Sequence, residues 1–268
     1  MQKELSKKNK IENKNHCRIF TMENLLCLLI IICPILDVSS FIFRNFFNTN
    51  FSISTFVRPI IPIIAITYIF FKDKIKPQII IAGIAYLGYA ICHVYIFYKI
   101  KTGCAYGNEL REIQYLVNYT FMVMNLFIYI YFFVVKNREK EITKQTVGNS
   151  LEKVKKAVLI ALTIYIALMY LALITKTSSF TYGETRVGYK GWFESGNSIG
   201  TIMLLSLFIV LPMLNKENRL SIRIWVLMIT VLVGAYLCTL LGTRTGLFGF
   251  IIVVMVYIAF TVLHNLLN

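Results

Sequence analysis

Acidic residues are scarce in this chain, whose 268 residues include 13 Asp and Glu against 28 Lys and Arg, for a net charge of +15. A charge of this size can indicate a nucleic-acid partner. Here, however, the basic residues lie in short segments between long apolar runs. Membrane orientation and contact with anionic lipids account for that pattern directly. We therefore expect membrane lipids, and no nucleic acid, as partners of the basic segments.

Several chemical motifs are also missing. The six cysteines form no CxxC pair and show no metal-ligand spacing, so neither a disulfide framework nor a zinc site is indicated. The chain has no GxxxxGK[ST] phosphate loop, no HExxH and no Asp-x-Asp of a metal-dependent nucleotide-sugar transferase. We therefore predict a function that uses no metal and no cofactor.

Apolar residues dominate what is present, at 57% of the chain. Runs of about 20 apolar residues are long enough to cross the hydrocarbon layer as helices, and an open strand there would leave backbone groups unpaired. The sequence thus predicts an all-α, polytopic transmembrane helix bundle, forming one integral-membrane domain over 1–268 after a basic leader, 1–22. The eight predicted spans are about 24–43, 53–71, 78–98, 115–135, 157–175, 196–214, 221–242 and 246–264.

The distribution of Lys and Arg predicts the orientation. Most of them fall in the N-terminal leader and in the segments after the second, fourth and sixth spans. By the positive-inside rule, both termini are then cytoplasmic in a multi-pass protein of the cell membrane. The leader precedes no small-residue cleavage site, so the first span is predicted to be retained. The outer segments are predicted at 44–52, 99–114, 176–195 and 243–245.

Two outer segments carry the candidate chemistry. One runs from Arg186 through glycines to Asn197 at the start of span six, and Arg244 lies in the short turn before span eight. Ser195 or Asn197 can cap span six, and helix N-termini offer free N–H groups and a positive dipole end. Guanidinium groups beside such ends form a place for phosphate or pyrophosphate.

Simpler explanations stay open for these residues. A single arginine at a helix end commonly extends its side chain to the lipid headgroups. Tyr189, Trp192 and Phe193 suit an interfacial aromatic belt as well as stacking on sugar rings. Near the outer ends of spans one and two, Asp37 and Arg58 form either an ion pair or, for Arg58, part of a substrate groove.

A general base is harder to assign. No histidine falls in a predicted outer segment: His16 and His264 are cytoplasmic in this topology, and His93 lies within span three. The outer carboxylates outside a span are Glu109, Glu112, Glu184 and Glu194. Any of them can act as a base, and their spacing does not distinguish them.

The order of these segments resembles the O-antigen ligase and polysaccharide polymerase family of bacterial membrane glycosyltransferases. The resemblance is carried by Arg186-Val-Gly188, the Gly196-Asn197 start of span six, and the Gly-Thr-Arg244-Thr-Gly turn after span seven. It covers about 186–250 well. Earlier segments, among them the one that ends in Arg58, are similar in kind.

The resemblance implies transfer of a glycan from undecaprenyl pyrophosphate to a glycan or other hydroxyl acceptor at the outer face of the membrane, in cell-surface polysaccharide biosynthesis. It implies that Arg186 and Arg244 bind the pyrophosphate and stabilise it as the leaving group. The other residues that we predict to bind substrate are Gly188, Lys190, Asn197, Thr243, Thr245 and Arg58.

Two alternatives stay open. Family members usually add an outer loop with a histidine beyond the equivalent of span eight, whereas this chain stops at Asn268. Either the chain lacks that loop, or it is a truncated product, or it uses another base; a truncated chain would be a non-catalytic membrane subunit. The second alternative is a transporter of polysaccharide or lipid-linked oligosaccharide, although transporters tend to place ionisable residues at the membrane midplane rather than at the rim.

Overall fold

The structure is a computed structural model that describes residues 21–47, 53–72, 77–101, 109–136, 144–182, 187–193, 195–215 and 222–267. Within those residues the chain forms eight α-helices and one two-stranded sheet. The helices are α1 (Met22–Phe47), α2 (Ile53–Lys72), α3 (Pro77–Lys101), α4 (Glu109–Ile130), α5 (Lys144–Ile174), α6 (Gly196–Val210), α7 (Ile222–Leu240) and α8 (Arg244–Leu267). The predicted all-α architecture is confirmed. Most of the leader, 1–22, lies outside the described residues.

Five of these helices are long and apolar enough to cross a membrane: α1, α3, α5, α6 with its 3₁₀ extension Leu211–Asn215, and α8. The other three contain shorter apolar stretches, at Val57–Phe71, Thr120–Val135 and Trp225–Leu240. The chain is therefore a multi-pass membrane protein. The predicted side of the membrane for each terminus stays a prediction.

Prolines lie inside two of the helices, at Pro34 in α1 and at Pro59 and Pro62 in α2. A proline removes one backbone hydrogen bond, yet membrane helices tolerate it because neighbouring groups satisfy the freed carbonyl. Helix α4 ends in a π-helical turn, Tyr131–Val135, whose first three side chains are buried.

The described chain divides into two compact units, Arg58–Thr143 and the remainder. In the first unit, the Tyr86 hydroxyl donates to Thr120 Oγ1 at 2.9 Å and so joins α3 to α4. The Lys136 ammonium lies 4.4 Å from the centre of the Tyr68 ring, within cation–π range. The prediction of a single domain stays a prediction.

The second unit holds the main apolar core. Helix α5 packs against α1, α6 and α7, while α6 also packs against α8. Small residues allow close approach between helices: a Cβ at Gly234 of α7 would lie 3.2 Å from Ile166 and 3.5 Å from Leu207. The fully buried side chains of this core include Leu162, Met203, Leu207, Val210, Leu237, Cys238 and Leu241.

Candidate functional site

A β-hairpin follows α5 where the sequence predicted only an irregular outer loop. Its strands are β1 (Ser179–Tyr182) and β2 (Val187–Gly191), paired antiparallel with Phe180 opposite Tyr189. The Ser179 hydroxyl donates to the Gly191 carbonyl at 2.8 Å. Alternating side chains around a short glycine-containing connection are a hairpin signal, so the sequence did contain the information.

Helix α6 begins just after the hairpin. Ser195 has an extended backbone, and its hydroxyl accepts a hydrogen bond from the Ser198 N–H at 3.3 Å. Ser195 is therefore the N-cap, as predicted for Ser195 or Asn197. Asn197 lies in the first turn of α6, where its side chain is exposed.

The turn between α7 and α8 is built around Gly242, whose φ is +65°. The Gly242 N–H donates to the Thr239 carbonyl at 3.2 Å, which ends α7 with a glycine in the left-handed conformation. Thr243 then caps α8, because its hydroxyl accepts from the Gly246 N–H at 3.0 Å. Thr243 is 3% exposed, and direct contact between Thr243 and a substrate stays a prediction.

The N-terminal parts of α6 and α8 lie side by side. A Cβ at Gly200 of α6 would be 3.6 Å from the Thr243 hydroxyl and 4.0 Å from the Gly246 Cα. Backbone N–H groups in the first turn of a helix have no partner within the helix, and the dipole makes that end positive. The arrangement thus places two positive helix ends at one point of the fold.

The hairpin rests directly on this point. Thr181 of β1 donates through Oγ1 to the Leu241 carbonyl at 2.8 Å. Gly188 of β2 is so close to the same carbonyl that a Cβ on it would lie 2.2 Å from the oxygen. A Cβ on Gly242 would in turn lie 3.0 Å from the Gly188 Cα and 3.6 Å from a Val187 methyl. Both strands of the hairpin therefore pack on a turn that lies more than 50 residues later in the sequence.

The predicted site residues fall into distinct positions around this turn. Arg244 is the first residue of α8 and is exposed, as is Thr245 beside it. Gly188 packs on the turn, and Lys190 is half-buried on the same strand. The structure thus brings Gly188, Asn197, Thr243, Arg244 and Thr245 to one end of the second unit.

The other predicted residues are not among those that the structure brings to this turn. Arg186, Glu184 and Glu194 lie outside the described residues, although Arg186 is the chain neighbour of Val187. Arg58 is half-buried in α2 and belongs to the other compact unit. Roles for Arg186 and Arg58 stay predictions.

The aromatic residues of the loop have structural contacts. Phe193 is 3% exposed and packs on Tyr165 with ring centres 5.4 Å apart, so it is neither free to stack on a sugar nor part of a surface belt. The Trp192 indole N–H donates to Thr177 Oγ1 at 2.9 Å. Tyr189 is 38% exposed and packs on Phe180.

Asp37 has a partner that sequence reasoning missed. The buried Tyr165 hydroxyl of α5 donates to Asp37 Oδ2 of α1 at 2.8 Å. No periodicity connects two residues 128 positions apart, so nothing in the sequence pointed to this pair. The bond satisfies a carboxylate in an apolar helix and, through Tyr165 and Phe193, links α1 to the loop beside α6.

Comparison with known proteins identifies the family. A family model described as O-antigen ligase like membrane protein matches residues 20–268. No curated protein and no solved structure matches the chain.

Proposed function

Because the chain belongs to the O-antigen ligase like family of membrane proteins, we propose that it is a glycosyltransferase that uses a lipid pyrophosphate as donor. In this proposal the donor is a glycan on undecaprenyl pyrophosphate, and the acceptor is a hydroxyl of a glycan or other molecule. The reaction takes place at the outer face of the cytoplasmic membrane and builds cell-surface polysaccharide.

The observation that carries the proposal is the position of Arg244. Arg244 is exposed as the first residue of α8, three residues after the Leu241 carbonyl that the hairpin contacts. Its chain neighbour Thr243 lies close to Gly200 of α6. A guanidinium group can donate two parallel hydrogen bonds to a phosphate. The two helix ends add backbone donors and positive dipoles to the same place. A pyrophosphate suits such a place better than a neutral ligand does.

The chemistry follows from this charge arrangement. The acceptor hydroxyl oxygen bonds to the sugar carbon that carries the pyrophosphate, and the bond from that carbon to the pyrophosphate oxygen breaks. The lipid pyrophosphate leaves with the electron pair, and the hydroxyl proton passes to a base. Donors already in place oppose the negative charge that grows on the leaving oxygen, which lowers the barrier without a metal.

The proposal assigns roles to most of the predicted residues. Arg244 and Arg186 hold the pyrophosphate, and Arg186 is included because its chain neighbour Val187 lies at the turn. Asn197 and Thr245, both exposed in first turns, contact the donor. Lys190 adds positive charge for the remaining donor oxygens, while Gly188 allows the hairpin to approach. Arg58 lies in the other compact unit, and its role in binding substrate stays a prediction.

Transfer by membranes that contain the chain tests the proposal. Arg244→Ala should lower transfer from the host's lipid-linked glycan by at least about 100-fold at an equal amount of protein. The matched control is Lys156→Ala, which removes an exposed positive charge elsewhere, on α5, and should leave transfer unchanged. Wild-type transfer by Arg244→Ala would refute the proposal. Passage of the glycan across vesicles without any transfer would favour the transporter instead.

A further inference from the structure

A side-chain hydrogen bond joins the hairpin to the turn before α8. Thr181 Oγ1 donates to the Leu241 carbonyl at 2.8 Å across 60 residues of sequence. Leu241 directly follows the last residue of α7. Carbonyls at the C-terminal end of a helix lack intrahelical partners, so Thr181 supplies a donor that the turn itself does not have.

The same side chain touches the start of α6. A Cβ on Gly196, the first residue of α6, would lie 2.6 Å from the Thr181 Cγ2 and 2.7 Å from its Oγ1. Thr181 is thus wedged between the end of α7 and the beginning of α6. Its hydroxyl contacts one helix end, and its methyl group contacts the other.

From these contacts we infer that Thr181 is a positioning residue, which fixes the turn that carries Arg244 relative to the N-terminus of α6. The inference rests on the function proposed for Arg244, which lies three residues after Leu241. The hydrogen bond from Thr181 constrains the orientation of the peptide between residues 241 and 242. The contact between Thr181 and Gly196 constrains the distance of that peptide from α6. Both constraints act on the spacing between the guanidinium group and the α6 amides.

A threonine suits both tasks. Valine would keep the shape but leave the Leu241 carbonyl without the Thr181 donor, and serine would keep the donor but lose the methyl group. If the hydrogen bond orients the turn, then Thr181→Val should impair the reaction and Thr181→Ser should restore it. A purely space-filling role predicts the opposite order.

The test compares these variants by two measurements. In steady-state transfer, Thr181→Val should lower kcat about 10- to 100-fold with the donor KM within about threefold, since small displacements cost rate. Thr181→Ser should recover to within about threefold of wild type. In hydrogen–deuterium exchange, the peptide that contains 241–247 should exchange faster in Thr181→Val than in wild type or Thr181→Ser.

The matched control is Thr163→Val on α5. Thr163 is exposed, and its hydroxyl donates to the Leu159 carbonyl of the same helix at 2.9 Å. This variant should change neither measurement. If Thr181→Val does not accumulate in membranes, Thr181→Ala is measured in its place. Alanine and serine differ only in the hydroxyl group, so the comparison with Thr181→Ser still tests the hydrogen bond.

Each outcome has a defined meaning. Unchanged exchange in Thr181→Val, unchanged kcat, or failure of Thr181→Ser to recover would overturn the inference. Arg244→Ala, measured in parallel, distinguishes failure of the positioning role from failure of the proposed function. If Arg244→Ala transfers normally, the proposed function is wrong, and the positioning role is wrong with it. Loss in Arg244→Ala together with normal kcat in Thr181→Val rejects the positioning role alone.

Discussion

Replacement of Gly188 by alanine gives the clearest quantitative expectation. Gly188 has a φ of +74°, and an added Cβ would lie 2.2 Å from the Leu241 oxygen and 2.9 Å from its carbon. The left-handed conformation alone costs a non-glycine residue about 1–2 kcal/mol. Ordinary contact requires the strand and the turn to separate by about 1 Å, since unbonded carbon atoms pack best at 3.5 Å or more.

That separation has two consequences. The Thr181–Leu241 hydrogen bond, 2.8 Å long in the wild type, is stretched beyond useful length, a loss of about 1 kcal/mol. Together with the backbone strain, this lowers the free energy of unfolding by about 2–3 kcal/mol, which corresponds to a fall in Tm of roughly 5–10 °C for a chain of this size. Since a 1 Å misplacement can cost a factor of about 100 in rate, transfer should fall by up to about that factor.

Thermal unfolding in detergent and transfer by membranes would measure both effects. The matched control is Gly148→Ala in α5, where an added Cβ meets nothing within 4 Å. Alanine is favoured over glycine in a helix by about 1 kcal/mol, so this control should keep or raise the Tm and leave transfer unchanged. A Gly188→Ala protein with wild-type Tm and transfer would refute the close packing of the hairpin on the turn.

Two single contacts and the predicted topology can be tested separately. Thr243→Val removes the cap of α8 and should lower stability by about 1–2 kcal/mol, whereas Thr243→Ser, which keeps the hydroxyl, should lower it by less; thermal unfolding measures both. Tyr165→Phe removes the donor to Asp37 and should lower the free energy of unfolding by about 1–3 kcal/mol. The control is Tyr170→Phe on the exposed side of α5, and an unchanged Tm in Tyr165→Phe would show that the bond contributes nothing to stability. To test the orientation, single cysteines are introduced into a variant whose six native cysteines are replaced by serine. Thr245→Cys, at an exposed position, should react with a membrane-impermeant maleimide added to intact cells, and Lys156→Cys should react only after lysis; the reverse pattern would invert the predicted topology.

The helices could be predicted from the sequence because a long apolar run in lipid has to satisfy its own backbone hydrogen bonds, and a helix does so. The predicted span 196–214 and the helical residues Gly196–Asn215 differ by one residue at one end. Span five was predicted to begin at 157, yet α5 begins at Lys144. The residues before 157 are polar and were not included in the predicted span, but a helix satisfies its own backbone and continues into water without apolar side chains.

The site was predictable only in part. The sequence predicted Arg244 close to the start of α8 and a cap for α6 at Ser195 or Asn197, because turn and cap residues act over a few positions. The role of Arg244 in the site stays a prediction. It missed Thr181 and Tyr165, whose partners lie 60 and 128 residues away. Such contacts depend on how helices pack, and neither periodicity nor composition records them.

The most direct test of the account is the inhibition of transfer by the lipid product. If Arg244 holds the pyrophosphate, undecaprenyl pyrophosphate should inhibit the wild type at least about tenfold more strongly than undecaprenyl monophosphate does, because the second phosphate adds charge-assisted hydrogen bonds. Arg244→Lys, which keeps the charge but not the planar fork, should retain part of this preference at a reduced rate. Equal inhibition of the wild type by both lipids, or a full preference in Arg244→Lys together with wild-type transfer, would contradict the account.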